Sequence, residues 1–302
     1  MTAMESKRRW LVIAVPYLWL LILFLAPFLI VLKISLSDPA IAQPPYVPVL
    51  DFSQGLAGLR EFFGGLDFET YQFLASDPLY VNAFLSSLKI ALVSTFLALL
   101  VAFPLAYGMA RAPEKWRPLL VMMVILPFWT SFLIRVYAWI GILRNEGLLN
   151  QFLLWTGLIS QPLAIMNTPT AVYIGIVYSY LPFMVLPIYS TLEKMDESLL
   201  EAAIDLGCNR LTAFWLVTLP LALPGIIAGC FLVVIPAMGE FVIPDLLGGS
   251  GTLMMGKTLW SEFFANRDWP VASAVAIVLL ISLVIPIVFF QRLLERQQEA
   301  GR

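Results

Sequence analysis

Histidine is absent from this 302-residue chain, which excludes His-based triads, zinc-protease motifs and histidine general-base chemistry together. Cysteine is nearly as scarce. Cys208 falls in a polar stretch and Cys230 in an apolar run, an unpromising pair for a disulfide and too few thiols for a metal site. Charge is thin as well: Asp, Glu, Lys and Arg make up 13% of residues, against roughly 25% in soluble domains. No polar segment is long enough to form a separate soluble domain. These absences leave no catalytic residues, no metal ligand set and no basic surface for nucleic acid.

What the chain has in excess is apolar sequence, 60% by residue, which points to the bilayer as its solvent. Crossing the hydrocarbon core takes about 20 apolar residues as helix, and six such runs are present, near 10–32, 83–109, 118–143, 170–190, 219–243 and 270–290. The expected fold is an all-α membrane protein of six transmembrane helices, a single membrane domain over residues 1–302. The first run follows Lys7-Arg8-Arg9, as a secretory signal would. Its apolar stretch is longer than the roughly 7–15 residues of a signal core and lacks a small-residue cleavage site, so it reads as a retained helix.

Basic residues set the orientation. Eleven Lys or Arg lie in the N-terminus, the 111–117 loop, the 194–210 loop and the C-terminal tail, against Arg60, Arg144, Lys257 and Arg267 on the other side. Both termini are therefore expected in the cytoplasm. The first outer loop, 37–78, carries Asp38, Asp51, Glu61, Asp67, Glu69 and Asp77 against one Arg60, an acidic face suited to a cationic solute or a basic partner. In the third outer loop, Gly251-Thr252-Leu253-Met254-Met255-Gly256-Lys257-Thr258 fits the phosphate-binding pattern GxxxxGK[ST]. That motif works only between a buried strand and a helix of an α/β domain, and no such domain exists here. The match is read as a false positive, and the chain as a non-enzyme that binds no cofactor.

Ionisable groups within spans are costly and so are functional candidates. Glu240, in Pro236-Ala237-Met238-Gly239-Glu240-Phe241, is expected toward the outer half of the fifth helix. It has two readings: a carboxylate that holds an ammonium group along a pathway, or an ion pair with Arg135 of the third helix. Aromatic rings would complete a cation site. Among Trp129, Tyr137, Trp139, Tyr173, Tyr178 and Tyr180, the substrate-pathway choices are Trp129, Tyr137 and Tyr178. Seven prolines in or near spans predict bends, and Gly225 and Gly229 form a GxxxG pair for close helix packing.

The polar loop 191–218 holds the most specific pattern. Glu201-Ala202-Ala203-Ile204-Asp205-Leu206-Gly207 is followed nine residues later by Val217-Thr218-Leu219-Pro220. The spacing predicts a short helix, a glycine turn and a second helix running back into the membrane. It resembles the coupling loop of ATP-binding-cassette (ABC) importer permeases, with Val217 where that family carries Ile. Longer stretches, 127–139, 181–189 and Asn266-Arg267-Asp268-Trp269-Pro270, resemble the polyamine branch of the family, closer to putrescine than to spermidine permeases. The resemblance implies a type I importer fold in a bacterial inner membrane, moving substrate by alternating access. It implies Glu201, Ala202, Ala203, Gly207, Leu219 and Pro220 as ATPase-coupling residues, with Glu201 meeting a basic residue of the ATPase. It also implies partners: a second EAA permease in a heterodimer, two ATPase subunits that use ATP and Mg, and a periplasmic polyamine-binding protein. The alternatives are an ion-coupled secondary transporter, which would leave the coupling pattern unexplained and lacks a visible inverted repeat, and an ABC permease for another small solute.

Overall fold

The computed structural model describes residues 3–49 and 55–300. Among the described residues five helices are long and apolar enough to cross a membrane, or six if a bent pair counts as one span, numbered here as the third. The first span, Ile13–Ser35, carries a π-helical turn at Leu21–Leu25. The second is Pro78–Ala110, the fourth Pro169–Glu193, the fifth Arg210–Met238 and the sixth Trp269–Phe289. Two compact units share them: Met1–Val81 with Thr258–Arg302, and Asn82–Lys257.

In the first unit the sixth span packs against helix Ala26–Ser35, whose buried residues are Ile34 and Ser35. Polar residues at the span end are tied down locally. The Ser35 and Tyr71 hydroxyls are 2.7 Å apart, and the Thr70 hydroxyl donates to the Ser37 carbonyl. Lys33 lies 4.1 Å over the Tyr46 ring and donates to the Pro48 carbonyl. A two-residue antiparallel ladder, Asp38–Pro39 with Tyr46–Val47, stiffens the proline-rich loop after the first span. The most apolar window of the first span is 0% buried, a surface left for lipid or another chain.

The second unit is built on the fourth and fifth spans. Small residues let them approach: a Cβ at Gly225 would stand 2.6 Å from the Pro187 carbonyl, and one at Gly229 would stand 2.7 Å from the Met184 sulfur. The second span adds Ala98, Ala102 and Ala106, four residues apart and hence on one helix face. These close over Met184, Val185 and Ile188 to make the core.

Two spans differ from their expected courses. The third, expected continuous over 118–143, is broken: Arg117–Trp129 and Phe132–Trp155 meet at 89°. Pro127 supplies no N–H, the chain tightens into a 3-10 turn at Leu126–Trp129, and Thr130 and Ser131 run extended. The Thr130 amide and hydroxyl both return to the Pro127 carbonyl, at 3.3 and 2.8 Å. The fifth helix, expected to reach 243, ends at Met238. After a break at Gly239–Phe241 a short helix, Val242–Leu247, begins.

Candidate functional site

Two groups of residues remain that the packing does not explain. The first is the loop after the fourth span. Its helix, Ser198–Asp205, starts where the Asp196 carboxylate accepts the Ser198 amide at 2.9 Å. That backbone hydrogen bond holds the Asp196 pKa below its usual value. The bond's contribution is present at neutral pH and lost as pH falls through the lowered pKa. Gly207 then takes φ +92°, a conformation glycine adopts freely and other residues do not. Asn209 restarts the helix, its side chain accepting the Thr212 amide at 2.7 Å. Arg210–Ala213 runs through a π-turn, Phe214–Thr218, into Leu219–Met238.

This geometry sorts the residues expected to couple to an ATPase. Ala203 is the buried one, packed toward the restarting helix, while Glu201, Ala202 and Gly207 are exposed and Leu219 is half-buried. Exposed apolar side chains surround them: Ile204 at 47%, Leu206 at 86% and Leu211 at 68%. Water does not favour such a patch, and a partner groove does. Sequence pattern gave no weight to Leu206 or Leu211 because each reads as ordinary helix filling. Nor did it find the tethers. Arg111, just past the second span, sits 2.5 Å from Glu197, and Arg117 lies 4.0 Å from Glu193, which also accepts the Tyr189 hydroxyl at 2.6 Å.

The second group surrounds Glu240, 7% exposed. It lies not within the fifth helix but in the break after it. There its Oε1 accepts the Val242 and Ile243 amides at 3.0 and 3.4 Å, taking orphan donors of the next helix, while Oε2 accepts the Tyr180 hydroxyl at 2.5 Å. The alternative reading's ion pair with Arg135 is not formed among the described residues. Arg135 is 9% exposed, its guanidinium 4.9 Å from the Phe128 ring and 5.7 Å from Phe132, with Nε and Nη1 lacking hydrogen-bond partners. Glu240 thus keeps three donors and no cation among the described residues.

The chosen aromatics fall elsewhere. Trp129 is 75% and Tyr137 59% exposed, and Tyr178 packs edge-on against Trp139 at 5.3 Å. Tyr180 is the ring that reaches Glu240. Residues two apart stand about 200° around a helix, so Tyr178 and Tyr180 point to opposite sides, and only the contact shows which side matters. The phosphate-loop match resolves into packing. Lys257 is 3.4 Å from Asp245 and donates to the Gly249 carbonyl at 3.0 Å. Gly256 is small because a Cβ there would meet the Gly239 carbonyl at 2.3 Å and the Glu240 carbonyl at 2.7 Å.

Apolar spans, a helix pair displayed at the end of two of them and the buried Glu240 carboxylate, which has no cation among the described residues, suit a transport permease. The profile of the binding-protein-dependent transport system inner membrane component family matches residues 10–299, and the chain belongs to that family. It is 40% identical over 302 residues to the spermidine/putrescine transport system permease protein PotB of Haemophilus influenzae, covering 99% of each chain. To the protein of the same name from Escherichia coli it is 48% identical over 72% of this chain and 78% of that one. Among solved structures it superposes on a bacterial ABC transporter that imports alginate, with TM-score 0.66, 18% identity and 97% of each chain covered. On the inward-facing MetNI methionine ABC transporter the TM-score is 0.55 at 18% identity, over 72% of this chain and 95% of that one. The fold is that of a type I ABC importer permease.

Proposed function

We propose that this chain is the membrane-spanning subunit of an ATP-driven importer that carries polyamines, putrescine foremost, from a periplasmic binding protein into the cytoplasm. Its whole-length 40% identity to a spermidine/putrescine permease carries the substrate class. The buried Glu240, a carboxylate with hydrogen-bond donors but no counter-cation, suits an ammonium group. Polyamines are chains of such groups. In this reading the Ser198–Asp205 helix and the exposed leucines beside it seat in a separate ATPase. ATP-driven closure of that dimer then turns the spans between outward and inward states. A second EAA permease completes the pathway, and ATP and Mg are bound by the ATPase alone. The bent third span and the broken fifth are where such spans can change angle.

Uptake of radiolabelled putrescine in cells with and without the chain tests the substrate. Uptake that is lost on deletion and resists excess unlabelled spermidine is the expected result. Uptake unchanged by the deletion, in cells with no redundant system, would remove the polyamine and leave a permease for another solute. Orientation has its own measurement. Cys208 lies in the displayed loop and Cys230 within the fifth span, and both are free thiols. With the loop cytoplasmic, a membrane-impermeant maleimide labels Cys208 in inverted vesicles and not in intact spheroplasts. The opposite pattern would reverse the topology.

A further inference from the structure

A buried guanidinium whose donors go unused is costly, and Arg135 is such a group. It is 9% exposed, its Nε and Nη1 have no hydrogen-bond partner, and no carboxylate among the described residues stands within 4.0 Å of it. What it has instead is two rings, Phe128 at 4.9 Å and Phe132 at 5.7 Å. The first of these contacts crosses the bend in the third span, since Phe128 lies in the 3-10 turn and Arg135 in the helix after it.

Phe128 also begins a row of rings. It meets Phe183 edge-on at 5.1 Å, and Phe183 meets Tyr180 at 6.2 Å. Tyr180 and Phe183 are three residues apart on the fourth span and so are neighbours on its surface. The Tyr180 hydroxyl donates to Glu240, which completes the order Arg135, Phe128, Phe183, Tyr180, Glu240. The short helix Val242–Leu247, just past Glu240, packs on both the Phe132–Leu143 helix and the fourth span, so the two charges sit on elements that touch. Three rings therefore join a carboxylate without a cation to a guanidinium without an anion. Phe183, the middle ring, is 38% exposed, while Phe128 and Tyr180 are half-buried, so the row is open at its centre.

We propose that this row is the binding track of a linear diamine and that Arg135 limits how far a polyamine can extend along it, an inference that rests on the function proposed above. One ammonium group meets Glu240. The methylenes and the second ammonium lie against Phe183 and Phe128, since an aromatic face accepts either an apolar chain or a cation. The far end of the substrate then points toward Arg135. A triamine carries a further ammonium on a longer chain, which brings it to a guanidinium already seated on Phe128. Like charges repel strongly in a site poor in water, so Arg135 selects by what it excludes. An arginine paired with a carboxylate would have its charge offset and could not do this. The missing partner is thus part of the device.

The test is displacement of radiolabelled putrescine from the assembled importer in nanodiscs, without the binding protein, so that only the membrane site selects. Spermidine and diaminooctane are the competitors, one with an added charge and the other with a longer chain. Arg135→Gln is expected to raise the affinity for spermidine relative to putrescine roughly tenfold, and that for diaminooctane in the same direction. Arg135→Lys keeps the charge and should leave both ratios near wild type. Phe183→Leu removes a ring but no charge, and should weaken putrescine and spermidine alike. A ratio is read only on protein that binds, so a loss of folded importer does not move it. A spermidine-to-putrescine ratio equal in Arg135→Gln and wild type overturns the proposal. A ratio that rises as much in Arg135→Lys also overturns it, making the position a matter of packing. Absence of displaceable putrescine on the wild-type importer would instead defeat the polyamine reading beneath it.

Discussion

Glu240→Gln is expected to cut polyamine uptake about 30-fold or more, the loss that goes with removing one partner of a buried charge pair, roughly 2–5 kcal/mol. The substitution is chosen because it changes charge and little else. A glutamine carbonyl still accepts the Val242 and Ile243 amides that Glu240 now satisfies, so the short helix Val242–Leu247 keeps its start. The amide also remains able to pair with the Tyr180 hydroxyl. Glu240→Ala removes all of these bonds and would confuse a structural loss with a functional one. Uptake, together with ATPase activity stimulated by the binding protein, separates the two. Transport lost by Glu240→Gln with assembly and stimulated ATPase intact means that the charge meets the substrate. Transport near wild type would reduce Glu240 to a helix cap held by Tyr180. Tyr180→Phe should raise KM more than it lowers kcat, since the hydroxyl orients the carboxylate and carries no charge of its own.

The spans were legible because hydrophobic length is a local property of the chain. The Ser198–Asp205 helix was legible because the glycine two residues past its end, a local signal, marks where the chain turns. Where the reading failed, the cause was tertiary. The 89° bend in the third span needs two extended residues, Thr130 and Ser131, and proline alone does not announce them. Arg135 and Glu240 looked like partners because each was the other's obvious counter-charge in the membrane. Ending the fifth helix at Met238 instead put Glu240 beside unsatisfied amides and Tyr180. A buried carboxylate takes the nearest donors, and which donors are nearest is decided by a break that composition does not mark. The Arg111 to Glu197 tether joins residues 86 apart in sequence, a pairing no periodicity contains.

Gly207→Val is expected to uncouple the importer, lowering the polyamine moved per ATP hydrolysed by about tenfold, from a backbone penalty of roughly 1–2 kcal/mol. The argument turns on where that penalty falls. Beyond its chain neighbours no atom lies within 4 Å of the site a Cβ would take, so the Cβ meets no obstruction and the helices on either side are expected to remain intact. The strain is confined to φ +92°, which a β-branched residue strongly disfavours. It is relieved only by changing the angle between Ser198–Asp205 and Arg210–Ala213. Upstream the loop is fixed, because Arg111 holds Glu197 to the end of the second span. Downstream the chain feeds directly into the fifth span. An altered angle at 207 therefore shifts the displayed leucines relative to the spans they are meant to move. Gly207→Asn is the control, since asparagine tolerates the left-handed region better than other residues with a side chain, and it should keep most of the coupling. Proteoliposomes reporting transport and hydrolysis together decide the matter. Valine and asparagine variants that transport alike, at the wild-type ratio, would show that the turn is only a connector and that the thrust enters through another part of the loop.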